Sequence, residues 1–235
     1  VPWLREAALL PSEDAVVLER PEDRRSGRLK VAVPMLPRIA NFDDLDPLRA
    51  EPQVDLVFVR AGEPLPADAG LVVLPGSKST IADLKDFRAA GWDRDLALHM
   101  RRGGRVIGIC GGYQMLGRRV TDPLGIEGSE RVVEGLGLLD VETEMAPEKT
   151  VRNSTARSLQ YDVPLEGYEI HLGRTTGPDA MRPAVSIDGR ADGAVSADGK
   201  VMGTYLHGLL TSDGYRAKLL SDFGISGGGF DYRAS

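Results

Sequence analysis

Four short runs of valine, isoleucine and leucine in the first half of the chain constrain its fold most strongly. They occupy residues 29–33, 54–59, 71–74 and 105–109, and glycine, proline or aspartate bounds each of them. Several of these runs are too apolar for strands that keep one face in water. Continuous apolar runs of this length are typical of a parallel sheet covered on both faces. We therefore expect them to form the centre of such a sheet.

Stretches with helical spacing separate the runs. Thr80 and Asp83 form a candidate capping box, and apolar residues follow at positions 81, 84 and 87. A second helix is predicted over 93–102, ending at the glycine pair 103–104. Strands that alternate with helices predict an α/β, doubly wound domain with a mostly parallel sheet.

The C-terminal half has a different pattern, with short β segments separated by Gly-Asp turns. These segments are predicted at 137–143, 168–171, 184–187 and 201–205, and a last helix at about 213–223. Prolines and a charged run punctuate residues 1–28, which are predicted to be an interdomain linker or extension, leaving 29–235 as the main domain. Because the chain begins with Val1 rather than methionine, we expect it to be part of a longer protein.

Composition and charge exclude several classes of partner. The net charge is −6 with both signs spread along the chain, which argues against nucleic acid. No apolar run approaches the roughly 18 residues of a membrane span, and no signal peptide is visible, so we expect a cytoplasmic protein without a membrane partner. One cysteine cannot form an internal disulfide, and with three histidines a metal site is not expected.

The lone cysteine is the first candidate for chemistry. Gly108 and Gly112 flank Cys110 at two residues on either side, where a predicted strand passes into a predicted helix. A single cysteine is most often apolar packing, but this glycine placement permits the tight turn of a nucleophile elbow. The turn would hold the thiol at the carboxyl end of a strand and beside a helix N-terminus, which favours thiolate. We therefore interpret Cys110 as a nucleophile.

A thiol nucleophile needs a base. His207 follows the β-like run 201–206 and is predicted where a strand gives way to a loop. His171 occupies a similar position and remains a competitor or accessory group. His99 lies on the predicted helix 93–102 and is interpreted as structural. We favour His207 as the base.

Acyl transfer also needs hydrogen-bond donors for the developing oxyanion. Gly76 ends the third predicted strand directly before a helix, and its N–H together with that of Gly111 would make a two-donor hole. The segment 76–80 has two other interpretations, an ordinary strand-turn-helix connection and a phosphate loop. It lacks the first glycine of the phosphate-loop pattern, so we expect no productive ATP binding by this chain alone.

Several motifs together resemble the glutamine amidotransferase domain of the cobyric acid synthase family. Residues 1–14 are also similar to the segment that follows the ATP-binding synthetase domain in that family. The motifs are Gly-Ile-Cys-Gly-Gly-Tyr-Gln at 108–114, Leu-Pro-Gly-Ser-Lys-Ser at 74–79, Gly-Tyr-Glu-Ile-His-x-Gly-Arg at 167–174, Tyr-Leu-His-Gly at 205–208, Asp-Pro-x-Gly-x-Glu-Gly at 122–128 and Gly-Leu-Gly-Leu-Leu at 135–139.

The resemblance implies a class I-like glutaminase on a flavodoxin-like fold, with no cofactor of its own. Glutamine would be hydrolysed to glutamate, and the ammonia passed to a synthetase domain of the same full-length chain. That partner domain would use ATP and Mg²⁺ to amidate carboxylates of a corrin ring in cobalamin biosynthesis. By position, the resemblance makes Cys110 the nucleophile, His207 its base, Gly76 and Gly111 the oxyanion donors, and Gln114 a group that binds or positions glutamine.

One position departs from the common amidotransferase pattern. Many class I enzymes place a glutamate two residues after the histidine to orient the imidazole. Leu209 occupies that position in this chain, and the cobyric acid synthase group is similar in lacking the glutamate. We therefore expect either slow turnover or another orienting group, such as Glu169 or a backbone carbonyl.

Three alternative functions remain open from the sequence. The first is another Cys-His hydrolase, such as a peptidase or deglycase-like enzyme. The second is a non-enzymatic regulatory or binding module. The third is the glutaminase of a related synthetase, one that amidates a different corrin carboxylate to give cobyrinic acid diamide, or a cell-wall lipid.

Overall fold

The computed structural model describes residues 29–225, so the predicted linker or extension 1–28 and the C-terminal residues 226–235 lie outside the described residues. The α-helices are α1 (Asp46–Arg49), α2 (Thr80–Ala89), α3 (Trp92–Arg101), α4 (Gly111–Leu116) and α5 (Asp213–Ser221). The strands are β1 (Leu29–Pro34), β2 (Ile39–Ala40), β3 (Val54–Val59), β4 (Leu71–Leu74), β5 (Gly76–Ser77), β6 (Arg105–Ile109), β7 (Arg119–Thr121), β8 (Val132–Glu134), β9 (Glu142–Glu144), β10 (Thr150–Ser158), β11 (Pro164–His171), β12 (Arg174–Thr176), β13 (Val185–Ile187), β14 (Arg190–Asp192), β15 (Ala194–Val195), β16 (Val201–Thr204) and β17 (Leu206–His207).

A six-stranded sheet in the order β15-β16-β6-β4-β1-β3 forms the centre of the domain. Strands β16, β6, β4, β1 and β3 run parallel, and β15 is the antiparallel edge. Numbered along the chain, the parallel strands lie in the order 2-1-3-4-5, which is the flavodoxin-like arrangement. The predicted α/β, doubly wound fold is confirmed.

The central strands are largely apolar, and β4 is wholly so, because both faces of the sheet are covered. On one face, Val72 and Leu74 pack with the buried side chains of α2, α3 and α4. On the other face, Leu71 and Val73 pack with α5 and with buried residues of β11 and β13. Each residue of β4 is therefore buried, whichever way its side chain points.

A second, antiparallel sheet carries the last strand within residues 29–225. Its order is β14-β13-β10-β11-β17, and Tyr168 of β11 lies opposite His207 of β17. Only Tyr205 separates β16 of the central sheet from β17. The two sheets therefore meet at His207, at the carboxyl end of the parallel strands, where open α/β sheets bind ligands.

The remaining strands form two smaller ladders. A four-stranded sheet has the order β12-β9-β7-β8, and β2 pairs with β5 in antiparallel register, with Ala40 opposite Gly76. None of the helices within residues 29–225 is long and apolar enough to cross a membrane.

The helix start predicted at Thr80 is present, but the predicted capping box is wrong. Asp83 binds Ser77 Oγ at 2.6 Å and Arg38 Nη1 at 3.0 Å instead of turning back to the helix N-terminus. The backbone N–H of Ile81 donates at 2.8 Å to Glu127, which lies far along the chain. A distant carboxylate thus satisfies a donor that a local residue was expected to satisfy.

Candidate active site

Cys110 lies on a strained turn between β6 and α4. Its φ of 53° and ψ of −109° lie in a region that residues with a side chain rarely adopt. A Cβ on Gly112 would lie 2.1 Å from Leu74 O, and one on Gly108 would lie 2.7 Å from Gly112 O, so only glycine fits at either position. The Cys110 N–H donates to Thr204 O at 2.9 Å, which ties the turn to β16. The sharp strand-to-helix turn expected around this cysteine is present.

The thiol of Cys110 is mostly buried but reaches a cavity. The side chain is 8% exposed, and Sγ donates to Ile170 O on β11 at 3.3 Å. The cavity beside it has a volume of about 400 Å³, and Asn41, Gln114 and His171 contribute to its lining. That volume lies within the range of small-molecule sites, about 300 to 1,000 Å³.

His207 is fully buried, and a stacked tyrosine ring and a carboxylate hold its imidazole. Its ring stacks on Tyr168 with centroids 4.9 Å apart and planes 10° apart. Its Nδ1 lies 2.6 Å from Asp44 Oδ2, while the other oxygen of Asp44 accepts the Gly208 N–H at 2.7 Å. Its Nε2 has no hydrogen-bond partner among residues 29–225. One ring nitrogen is thus fixed by a carboxylate, and the other is left for a further partner.

Charge and hydrogen bonding favour the protonated form of His207. Burial lowers the pKa of the imidazole, but the hydrogen bond to Asp44 and the neighbouring Asp44 and Cys110 groups raise it by more, to about 10. The raised pKa makes the imidazole a strong acceptor for the proton of a neighbouring thiol.

Asp44 comes from a segment in which the sequence analysis predicted neither structure nor function. A 3₁₀ turn over Phe42–Leu45 follows Asn41, which takes the left-handed conformation with φ of 51°, and the turn places Asp44 5% exposed against His207. Another orienting group was expected in place of the missing glutamate, and Asp44 occupies that position, whereas the two candidates named for it, Glu169 and a backbone carbonyl, do not bind this imidazole. The partner is a carboxylate 163 residues before the histidine.

Glu169 belongs to a different cluster. It is 1% exposed, and its carboxylate binds the guanidinium groups of Arg152 and Arg190, the latter at 3.0 Å. Two arginines therefore neutralise it, and it makes no hydrogen bond to His207.

Tyr168 and Gly167 explain the motif around the second histidine. The Tyr168 hydroxyl accepts from Asn41 Nδ2 at 2.6 Å, so one side chain both stacks on His207 and anchors the residue that precedes the Asp44 turn. A Cβ on Gly167 would lie 1.9 Å from His207 O. Glycine is required there because β11 and β17 approach so closely.

His171 lies in the wall of the cavity rather than against Asp44. Its ring stacks on Tyr205 at 3.8 Å, and its Nε2 lies 3.8 Å from Glu169 Oε1. Its Nδ1 is buried without a hydrogen-bond partner in the described part of the chain, and burial lowers the pKa of the ring. His99 is buried on α3, with Nε2 2.9 Å from Arg105 O, as a structural histidine would be.

Both glycines expected to supply oxyanion donors lie beside the cysteine and histidine. A Cβ on Gly76 would lie 3.5 Å from His207 Cε1, and one on Gly111 would lie 2.9 Å from Ser77 N. The end of β4, the start of α4 and His207 therefore converge.

Gln114 is buried one helical turn after Cys110, and its amide is already bonded within the protein. Thr80 Oγ1 donates to Gln114 Oε1 at 2.7 Å, and Gln114 Nε2 donates to Leu172 O at 2.8 Å. These bonds join α4 to α2 and to the chain after β11, and so fix the wall of the cavity.

Within residues 29–225, no group of three or more His, Cys, Asp or Glu side chains is arranged to hold a metal ion.

Comparison with known families agrees with this geometry. The family model for the CobB/CobQ-like glutamine amidotransferase domain matches residues 30–215. The chain belongs to this family. All of this chain aligns with curated relatives named cobyric acid synthase, at 75% identity for one from Sinorhizobium sp and 73% for one from Rhizobium meliloti (strain 1021), covering 48% and 49% of those proteins. The chain thus spans about half the length of the curated relatives it matches.

Solved structures share the fold of this amidotransferase domain at low identity. One titled PurLQS from Thermotoga maritima has a TM-score of 0.61 at 18% identity, covering 84% of this chain and 98% of that chain. Another, titled as a glutamine amidotransferase, has a TM-score of 0.57 at 16% identity, covering 83% of this chain and 99% of that chain. At these identities the likeness supports the fold alone.

Proposed function

We propose that this domain hydrolyses glutamine through a thioester on Cys110 and delivers the ammonia to an ATP-dependent synthetase. The observation that carries the proposal is the buried array of Cys110, His207 and Asp44 at a cavity within a glutamine amidotransferase domain. A nucleophile, a base and an orienting carboxylate are the parts that acyl transfer requires.

In the first half of the reaction, His207 takes the proton of the Cys110 thiol, and the thiolate attacks the side-chain amide carbon of glutamine. The C=O electron pair moves onto oxygen, and a tetrahedral intermediate forms. His207 then gives its proton to the leaving nitrogen, the C–N bond breaks, and ammonia departs from a thioester. In the second half, His207 deprotonates water, which attacks the thioester and releases glutamate with the thiol restored.

Asp44 acts through His207 rather than on the substrate. Accepting a hydrogen bond from Nδ1–H keeps the proton there in the neutral ring, so that Nε2 remains the basic nitrogen. Asp44 would also stabilise the imidazolium that forms when the thiol ionises. The site is then a triad. Its carboxylate comes from the turn after β2, whereas many class I enzymes use a glutamate two residues after the histidine.

The backbone N–H groups of Gly76 and Gly111 are proposed to stabilise the oxyanion, since both glycines flank the reacting pair. Gln114 is proposed to position glutamine as part of the cavity wall. His171 and Glu169 remain accessory residues at most, and we assign them no step in the reaction.

The synthetase partner is proposed from the length and name of the relatives. The curated relatives are named cobyric acid synthase and are about twice as long as this chain. We propose that the other half carries the ATP and Mg²⁺ site and binds the corrin whose carboxylates receive the ammonia, in cobalamin biosynthesis. The site needs a reduced thiol, which the cytoplasm maintains, and we place the reaction there. The glutaminase of a related synthetase is less well supported, because the curated relatives at 70% to 75% identity carry the cobyric acid synthase name.

The full-length protein containing this chain provides the test. Supplied with glutamine, ATP, Mg²⁺ and a corrin with free carboxylates, it should release glutamate and form about one corrin amide per glutamate released. Glutamate release can be followed enzymatically and corrin amidation by mass spectrometry. Glutamate release without corrin amidation would overturn the assigned acceptor, and no glutamate release under these conditions would overturn the glutaminase.

A further inference from the structure

A loop between β7 and β8 places a carboxylate in the wall of the Cys110 cavity. Both oxygens of the buried Asp122 accept backbone N–H groups of this loop, from Ile126 and from Glu127, each at 2.8 Å. These bonds fix the backbone of Glu127, which lines the cavity. The glutaminase mechanism uses neither residue.

The Glu127 side chain is held but not saturated. Its Oε2 accepts the Ile81 N–H at 2.8 Å at the start of α2, with Ser79 Oγ at 3.5 Å. No ion pair between Glu127 and a lysine or arginine occurs within the described residues. An ionised carboxylate has about four acceptor positions, so this one retains capacity for a further donor.

The lining of the cavity also carries positive charge from two lysines. Lys78 and Lys149 both line the cavity, and neither forms an ion pair with an acidic side chain in the part of the chain that the structure describes. The cavity thus combines a nucleophilic sulfur with one carboxylate and two lysine side chains. A free α-amino acid has a matching set, an α-ammonium and an α-carboxylate, whereas a glutamine residue inside a peptide has neither.

We propose that Glu127 binds the α-ammonium group of free glutamine, with Lys78 and Lys149 on the side of the cavity that takes the α-carboxylate. This assignment rests on the proposed glutaminase function. It makes Glu127 a specificity-determining residue, because it selects the free amino acid over the same side chain in a peptide. Burial raises the pKa of Glu127, and a bound ammonium would favour the ionised carboxylate.

The test compares two substrates in the full-length protein. One is glutamine, and the other is glutaramic acid, which has the same side-chain amide and carboxylate but no amino group. Glu127→Gln removes the charge and keeps a carbonyl oxygen to accept the Ile81 N–H. This variant should lower kcat/KM for glutamine by roughly 10- to 100-fold, mainly through KM, the loss expected for a hydrogen bond to a charged group. It should leave kcat/KM for glutaramic acid within about threefold of the wild-type value, since no interaction with that substrate is lost.

Glu130→Gln is the matched control, because Glu130 lies in the same loop and pairs with Lys85 on the surface. It should change neither value. Equal losses on both substrates in the Glu127→Gln variant, or no loss on either, would overturn the assignment while leaving the glutaminase intact. A wild-type protein that hydrolyses neither substrate would overturn the proposed function and this assignment with it.

Discussion

Replacing Asp44 by asparagine should lower kcat for glutamine hydrolysis by roughly 10³- to 10⁴-fold, the loss known for removing the orienting carboxylate of a triad. Asparagine keeps the size of the side chain but can present an amide N–H₂ to Nδ1, which favours the tautomer with its proton on Nε2. The basic nitrogen would then face away from Cys110. Because Asp44 also helps raise the pKa of His207, the variant should lose the imidazolium at a lower pH than the wild type.

Measuring kcat from glutamate release between about pH 6 and 10 checks both effects. Asp43→Asn is the matched control, since Asp43 is the neighbouring acid and makes no hydrogen bond to His207. Its kcat should stay within about threefold of the wild-type value, because the hydrogen bond between Asp44 and His207 remains in place. A kcat for Asp44→Asn within about tenfold of the wild type, with an unchanged pH profile, would mean that His207 does not depend on Asp44.

Replacing Cys110 by alanine should abolish glutamine hydrolysis, with a loss on the order of 10⁶-fold, as for other covalent nucleophiles. The fold should persist, because Sγ makes one hydrogen bond, to Ile170 O, and the backbone keeps its bond to Thr204. We expect the free energy of unfolding to change by about 1 kcal/mol, in the ordinary range for a single substitution.

Corrin amidation driven by added ammonium salts gives the control for the Cys110→Ala variant. Ammonia from solution bypasses the glutaminase, so the full-length variant should form corrin amide from ammonium at the wild-type rate while forming none from glutamine. Denaturant unfolding shows whether the variant domain is folded. Normal glutamate release by a folded variant would eliminate the thioester mechanism.

The central strands could be predicted from sequence because their signal is local. The boundaries of β3, β4 and β6 match the predicted runs, since strands of a sheet covered on both faces are largely apolar. Strand β10 was not predicted, because it is polar and largely exposed along most of its length. The predicted β segment 137–143 overlaps one strand, β9 at Glu142–Glu144. Most of the segment hydrogen-bonds to the backbone at the end of α4 without forming a strand.

The site was predictable where its geometry depends on neighbours in sequence, as at the turn around Cys110. Asp44 was not, because its contact with His207 joins residues 163 positions apart, and the acidic segment around it resembles a surface turn. Glu127 shows the same limit, since its bond to Ile81 spans 46 residues. Glu169 is buried, as an accessory group could be, but Arg152 of β10 and Arg190 of β14 bind its carboxylate.

Covalent labelling tests most directly the central claim that the Cys110 sulfur attacks the side-chain carbonyl of glutamine. The protein is incubated with a diazoketone analogue of glutamine, with and without excess glutamine, and in parallel with a peptide-based electrophile, and peptide mapping by mass spectrometry locates the adduct. The account predicts one adduct per chain, on Cys110, that glutamine prevents and that the peptide-based electrophile does not form. Absence of an adduct on Cys110, or equal labelling by the peptide-based electrophile, would contradict it.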